Sequence, residues 1–309
     1  MSRENTSADL TQEVSTYYEK VFLKRAEYEL VAKEGGQMRT LPSNEGKVVN
    51  FTRYVPLTVN LASGVITEGS NPVLCSITAS TISATLVEYG MTVQTTKFLS
   101  TISIDKNMSE KIELVGQHMG EYLNKLVLAE LNNGTSAFAN DKNTSTYAAS
   151  DTFSASMIRN LTRTLEINKA RPYQDGYFMG KISPQAKYQL LGDSTWINSK
   201  TYSDVKDLYK GEMGELYQVR WLLNKDSSSS VGAASEASVV AAFQTYVHGS
   251  DAFGCYDLDG DKPKLYILPN LVDSGSPAGR ISKISWAGSY ATKILNSDWI
   301  VVARTPTSP

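Results

Sequence analysis

Residues 107–132 read NMSEKIELVGQHMGEYLNKLVLAELN, and this stretch decides how the rest of the chain is arranged. Apolar side chains recur at Met108, Ile112, Val115, Met119, Tyr122, Leu126 and Ala129. The steps alternate four and three, the period of an amphipathic helix. Asn107 and Glu110 supply a capping-box-like start, and Gly134 a stop. With a rise of about 1.5 Å per residue, the rod is roughly 39 Å long. Glu110, Lys111, Glu121, Asn124 and Lys125 fall largely off the apolar stripe. The helix is too polar to span a bilayer, and its heptad-like spacing is too brief for a coiled coil. It reads as a spine laid over a β-sheet, packed through Met108, Ile112, Val115, Met119, Tyr122 and Leu126.

On the N-terminal side, residues 1–10 read as a small polar arm. Asp9 and Gln12 start a helix that runs to about Lys33, with Val14, Tyr17, Tyr18, Val21, Phe22 and Leu30 on its apolar face. Gly35-Gly36 stops it. Residues 47–55 alternate as a strand, and residues 82–93 form a second extended run whose phase slips after Leu86, as at a bulge or a strong twist. Between them, residues 54–80 contain no Lys or Arg and only one acid, Glu68. Leu57, Val59, Leu61, Val65, Ile66, Val73 and Leu74 lie in that stretch and need a surface to bury against. Two readings stand: a loop folded back on its own domain, or a projecting β-arm covered by another subunit.

Beyond the spine, residues 135–152 look like a linker. A helix follows with Met157, Ile158, Leu161 and Leu165 on one face, then a strand at 177–182. Pro184 opens a short helix, and residues 216–223 form a single buried strand. Residues 226–238, DSSSSVGAASEAS, are an exposed low-complexity loop. Residues 239–247 and 264–268 are strands, 273–280 is a turn-rich loop, and 286–302 closes the chain with two extended runs. The irregular mixture of helices and strands defines an α+β class.

Composition excludes several functions. With 30 basic and 32 acidic side chains among 309 residues, the net charge is −2, unlike a surface that neutralises phosphates. Two distant cysteines, Cys75 and Cys255, make neither a disulfide framework nor a metal motif. The first residues lack the apolar core of a secretory signal, and no apolar run reaches membrane-spanning length. The plain reading is a soluble protein of a reducing compartment. His118 and His248 are far apart and have no zinc-hydrolase spacing, so His118 reads as a packing or surface residue. Residues 257–261, DLDGD, depart from a calcium loop at the glycine and at the twelfth position, and read as an acidic turn between strands. The sequence points to no catalytic residue, cofactor site or metal site.

Several landmarks together resemble a known family. They are Leu23-Lys24-Arg25-Ala26, Gly46-Lys47, Phe51-Thr52-Arg53-Tyr54, Pro56-Leu57, Thr67-Glu68-Gly69 and Tyr89-Gly90. Further on come Leu131-Asn132-Asn133-Gly134-Thr135, Tyr209-Lys210-Gly211-Glu212-Met213-Gly214, Gly249-Ser250-Asp251-Ala252-Phe253-Gly254, and Lys293-Ile294-Leu295-Asn296 before Trp299. In order and spacing these resemble the major capsid proteins of tailed bacteriophages of the coliphage N-four type, over about residues 11–304. Ala287-Gly288 after Trp286 departs from the pattern, where a lysine is expected.

The resemblance implies the Hong Kong 97 fold: an N-terminal arm, an extended β-hairpin loop, a peripheral domain with the spine helix, and an axial domain. Mapped onto this chain, it implies an arm and helix at 1–36, the extended loop and its base strands at 37–95, and the peripheral domain at 96–135. The axial domain then spans 136–269, the peripheral domain returns at 270–296, and a final axial strand and tail occupy 297–309. The implied function is an icosahedral virion shell of hexamers and pentamers around double-stranded DNA held without specific binding. Assembly is expected in the host bacterial cytoplasm, with scaffolding, portal and possible decoration proteins as partners and no membrane. An encapsulin-like compartment and an α+β hydrolase are the alternatives. Some members of this fold join subunits by a Lys–Asn isopeptide, but residues 54–80 hold no lysine for it.

Overall fold

The spine forms where the periodicity places it, as α3 (Met108–Leu131). A computed structural model describes residues 11–44, 46–54, 57, 64–66, 68–69, 71–72, 74–102, 108–138, 151–195, 212–226, 242–273 and 276–306. Before the spine come α1 (Thr11–Glu29), β1 (Gln37–Leu41), β2 (Val48–Tyr54), β3 (Ala79–Thr85), β4 (Val87–Thr96) and α2 (Lys97–Ile102). After it come β5 (Thr135–Phe138), α4 (Ala155–Ile167), β6 (Phe178–Ile182), α5 (Pro184–Leu191), β7 (Glu212–Leu216) and β8 (Val219–Leu223). The last elements are β9 (Ala242–His248), β10 (Phe253–Leu258), β11 (Lys264–Asp273), β12 (Ser276–Ile294) and β13 (Ile300–Pro306).

A five-stranded sheet is built on β12. Tyr290 pairs with Asp257 of β10 on one side and Val87 of β4 on the other. β11 continues where β10 leaves off, since Lys264 pairs with Ala287. β10 and β11 are therefore one long strand with an excursion at residues 259–263, and the acidic 257–261 segment opens that excursion. β1 adds to β10 in parallel. The second sheet has six strands in the order β5-β13-β9-β6-β8-β7. Among the described residues β2 and β3 pair only with each other, antiparallel.

Three cores hold these layers. Phe22 and Ala26 of α1 and Leu30 just after it pack with Ile112, Val115, Met119, Leu123 and Val127 of α3 over one face of the five-stranded sheet. Tyr246, Ile300 and Val302 carry that core onto the six-stranded sheet. The other face of the six-stranded sheet is covered by α4 and α5, with Met157, Ile158, Leu161, Leu165 and Leu190 buried against Phe178, Val219 and Trp221. Phe51 and Leu86 close a third core over the back of the five-stranded sheet, where Phe51 stacks on Tyr256 at 4.7 Å.

Several elements differ from the sequence reading. The buried face of α3 runs through Ile112, Val115, Met119, Leu123, Val127, Leu128 and Leu131. A pattern averaging 3.5 residues drifts off a straight helix of 3.6, by about 20° per heptad. Tyr122, Leu126 and Ala129 therefore end on the flank, and Leu123 and Val127 replace them. The phase slip after Leu86 is a change of sheet rather than a bulge. β3 belongs to the hairpin and β4 to the five-stranded sheet, with Leu86 N–H donating to the Lys47 carbonyl at 2.8 Å between them. Residues 216–223 are not one strand but a tight hairpin, β7–β8, turning on Tyr217 and Gln218 with φ of 50° and 61°. Such turns normally carry Asn-Gly, so Tyr-Gln left no signature. Of the stretch read as a turn-rich loop, Asp273 ends β11 and residues 276–280 belong to β12, with Asp273 paired to Ser276. The stretch read as a linker after the spine begins with β5, paired to β13. Finally, the chain rejoins the first sheet at Phe253 and not at residue 270, because β10 and β11 both pair with β12. Strand periodicity does not say which sheet a strand joins.

Candidate assembly surface

The β2 and β3 strands bracket the uncharged stretch, and Tyr54 pairs with Ala79 at their last rung. Leu57 is 56% exposed, Val65 78%, Ile66 62% and Leu74 97%. Val59, Leu61 and Val73 lie outside the described residues. Tyr54 and Ile77, which the sequence reading did not single out, are also largely exposed. Both lie inside the uncharged run of residues 54–80, so its full extent was the available signal. Scattered exposed apolar residues are ordinary, but a run of them along one stretch of chain is not.

A second exposed apolar group adjoins the hairpin base along the chain. Val87 and Val93 of β4 and Phe98 and Leu99 of α2 are exposed. Among the described residues β4 pairs only with β12, so its outer edge offers free backbone N–H and C=O groups.

The spine residues form the support beneath. Ile112, Val115 and Met119 are buried; the Met108 side chain lies outside the described set. Leu126 is half-buried against the first core. Tyr122 is 38% exposed, yet its ring lies 5.4 Å from Tyr89 and 5.9 Å from Trp286. Trp286 Nε1 donates to His118 Nδ1 at 3.2 Å, so His118 is a packing residue of this aromatic group. Burial, with Tyr122 nearby, raises the Tyr89 hydroxyl above its ordinary value. At the far end, Glu130 Oε1 accepts from Lys293 Nζ at 2.9 Å and from Ile294 N–H at 3.3 Å. Asn132 Oδ1 accepts from Gln244 at 2.6 Å and Arg304 at 3.2 Å. The spine is thus pinned to both sheets.

Two spine features escaped the sequence reading. Asn124, placed off the apolar stripe, is fully buried. Its Oδ1 accepts from Ala32 N–H at 2.7 Å, and its Nδ2 donates to Asn224 at 3.0 Å and Asp226 at 2.8 Å. Gly116 and Gly120 face α1 so closely that a Cβ would stand 2.7 Å from the Phe22 carbonyl oxygen and 2.5 Å from that of Ala26. The Gly-x-x-x-Gly spacing was the signal for that approach.

Among the described residues no group of His, Cys, Asp and Glu is arranged to hold a metal ion, and no helix is long and apolar enough to cross a membrane.

The chain has the fold of tailed-bacteriophage capsid proteins, the Hong Kong 97 fold. It superposes on the capsid protein of Ralstonia phage GP4 with a TM-score of 0.68 at 13% identity, covering 91% of this chain and 90% of that one. For cyanophage Pam1 the TM-score is 0.66 at 14% identity, with 93% of each chain covered. For the Helicobacter pylori bacteriophage KHP30 capsid it is 0.64 at 13% identity, covering 89% of both. No family model and no curated protein matches the chain in sequence.

Proposed function

We propose that this chain is a major capsid protein, whose copies close as hexamers and pentamers into an icosahedral shell around the double-stranded DNA of a tailed bacteriophage. The observation that carries the reading is the near end-to-end likeness to phage capsid chains. In this reading the five-stranded sheet with α1 and α3 is the peripheral domain, and the six-stranded sheet with α4 and α5 is the axial domain. The hairpin loop is the intersubunit arm, and Leu57, Val65, Ile66 and Leu74 press on a neighbouring copy, with Val59, Leu61 and Val73 from the same stretch. Scaffolding, portal and decoration proteins belong to the same proposal, as do virion localisation and assembly in the host cytoplasm. A net charge of −2 suits DNA that is enclosed rather than gripped.

The test is to express the chain with its phage's assembly partners and examine the product by electron microscopy and sedimentation. Closed shells of uniform diameter are expected, and shells from infected cells should contain DNA. Protein cargo without nucleic acid would replace this reading with a compartment shell. Monomers or dimers under every assembly condition would overturn it.

A further inference from the structure

The turn at residues 30–36, between α1 and β1, is gripped by side chains from several other segments. Ala32 N–H donates to Asn124 of α3, and the Ala32 carbonyl accepts from Lys181 Nζ of β6. The Gly35 carbonyl accepts from the Tyr173 hydroxyl at 2.5 Å. That hydroxyl also lies 3.1 Å from His248 Nδ1 of β9 and 3.1 Å from the Gly249 carbonyl oxygen. The backbone presses directly on this group. A Cβ at Gly35 would stand 2.6 Å from the Tyr173 hydroxyl and 2.8 Å from His248 Cε1, and one at Gly36 would stand 2.5 Å from the Phe253 ring.

Lys181 and His248 are both fully buried, on the face of the six-stranded sheet that meets β10. Lys181 Nζ sits 4.4 Å from the Phe253 ring centroid, and the His248 ring stands edge-on to the same ring at 5.0 Å. His248 Nε2 has no hydrogen-bond partner among the described residues. Neither base has a carboxylate at ion-pairing distance among them either. Facing the pair are Lys33 and Glu34 from the turn, Tyr173 from the segment before β6, and Asp251 from the turn before β10. Cys255 of β10 and Tyr290 of β12 complete the surroundings. Glu34 and Asp251 are exposed. Burial raises the Cys255, Tyr173 and Tyr290 groups, so these stay neutral. Two bases therefore share one buried pocket with no buried anion among the described residues to balance them.

We propose that this pocket is a proton-sensitive joint between the two sheets: neutral, it clamps the turn at 30–36, and protons favour an opened form in which Lys181 and His248 reach water. Burial lowers Lys181 from 10.5 to about 7, against the opposing pull of Cys255 and Glu34. Burial, and then the charge on Lys181, hold His248 well below 6.5. The opened form has ordinary values, so it binds protons that the closed form refuses. The clamp therefore weakens as pH falls from 10.5 towards 7 through Lys181, and the Lys181 contribution levels off below that. Below 6.5 His248 adds a second weakening.

The experiment is amide hydrogen exchange on the full chain from about pH 9 to about pH 5, corrected for intrinsic exchange and comparing residues 30–36 with α4. The opening constant of the turn should rise by up to about tenfold per pH unit from about pH 9 to about pH 7, with α4 unchanged. Lys181→Met should flatten that slope, and His248→Gln should remove only the rise at the acid end. A turn whose opening does not respond to pH, or a slope that survives Lys181→Met, overturns the proposal. Should Lys181→Met fail to fold, a carbon NMR titration of Lys181 in the unaltered chain decides instead. A midpoint near 7 is expected, and one near 10.5 overturns the joint.

Discussion

At the scale of single residues, Asn124 shows how one polar side chain can join distant parts of the chain. It lies on the spine, but its partners are the turn after α1 and the end of β8. All are buried or half-buried, so each lost hydrogen bond leaves a group cut off from water. Asn124→Leu keeps the approximate volume and strands the Ala32 N–H. The expected loss is about 2–3 kcal/mol in urea unfolding, against less than about 0.5 kcal/mol for Lys125→Met on the exposed neighbour. A loss for Asn124→Leu no larger than for Lys125→Met would remove Asn124 from this role. The sequence could not show it, because a polar residue on an amphipathic helix is read by default as solvated. Only the position of Ala32 and Asn224 in space makes it a core residue.

At the scale of elements, the spine, α1, α4, the Pro184 helix and most strands were legible because periodicity and caps are local. Pro184 follows Ser183, whose hydroxyl accepts from Ala186 N–H at 3.1 Å, so a short helix starts there for reasons visible in four residues. What was illegible depends on partners. The break at Leu86 looked like a bulge because nothing in an extended run names the sheet on either side of it. Gly35-Gly36 was read as the stop of a helix running to about Lys33, but α1 ends at Glu29, and the pair instead allows close approach to His248 and Phe253. The closeness of α1 and α3 is similarly relational, and it can be tested. A side chain at residue 120 meets the Ala26 carbonyl oxygen, a backbone atom that cannot swing aside. Gly120→Val should therefore push α1 off the spine, with an overpacking cost of about 1–3 kcal/mol that outweighs the helix propensity it gains. Trypsin should then cut at Lys20 or Lys24 in the folded variant and spare the parent chain. Equal resistance of the two would mean that α1 adapts without undocking.

At the scale of the whole molecule, the stretch between β2 and β3 is the part whose exposed apolar residues make least sense in one copy. Its lack of lysine rules it out as the amine donor of an isopeptide, so mature shells boiled in detergent and reductant should run as a single monomer band. A ladder surviving that treatment would place the amine elsewhere on the chain. The stronger test concerns cohesion. Leu57, Val65, Ile66, Leu74 and Ile77 are all more than half exposed, and burying one such side chain fully is worth about 1.5–3 kcal/mol. Several of them outweigh an exposed ion pair at about 0–1 kcal/mol, so contact through this loop should depend little on salt between about 0.1 M and about 1 M. Among the described residues the third core, around Phe51 and Leu86, draws no member from between Tyr54 and Ala79. Deleting residues 59–78 leaves a four-residue connection between β2 and β3, an ordinary hairpin length. The shortened chain should unfold cooperatively, with a midpoint within a few degrees of the parent, and should fail to form stable shells. Normal shells from the deletion would take the loop out of assembly. Loss of cooperative unfolding would show instead that the loop belongs to the core of its own subunit.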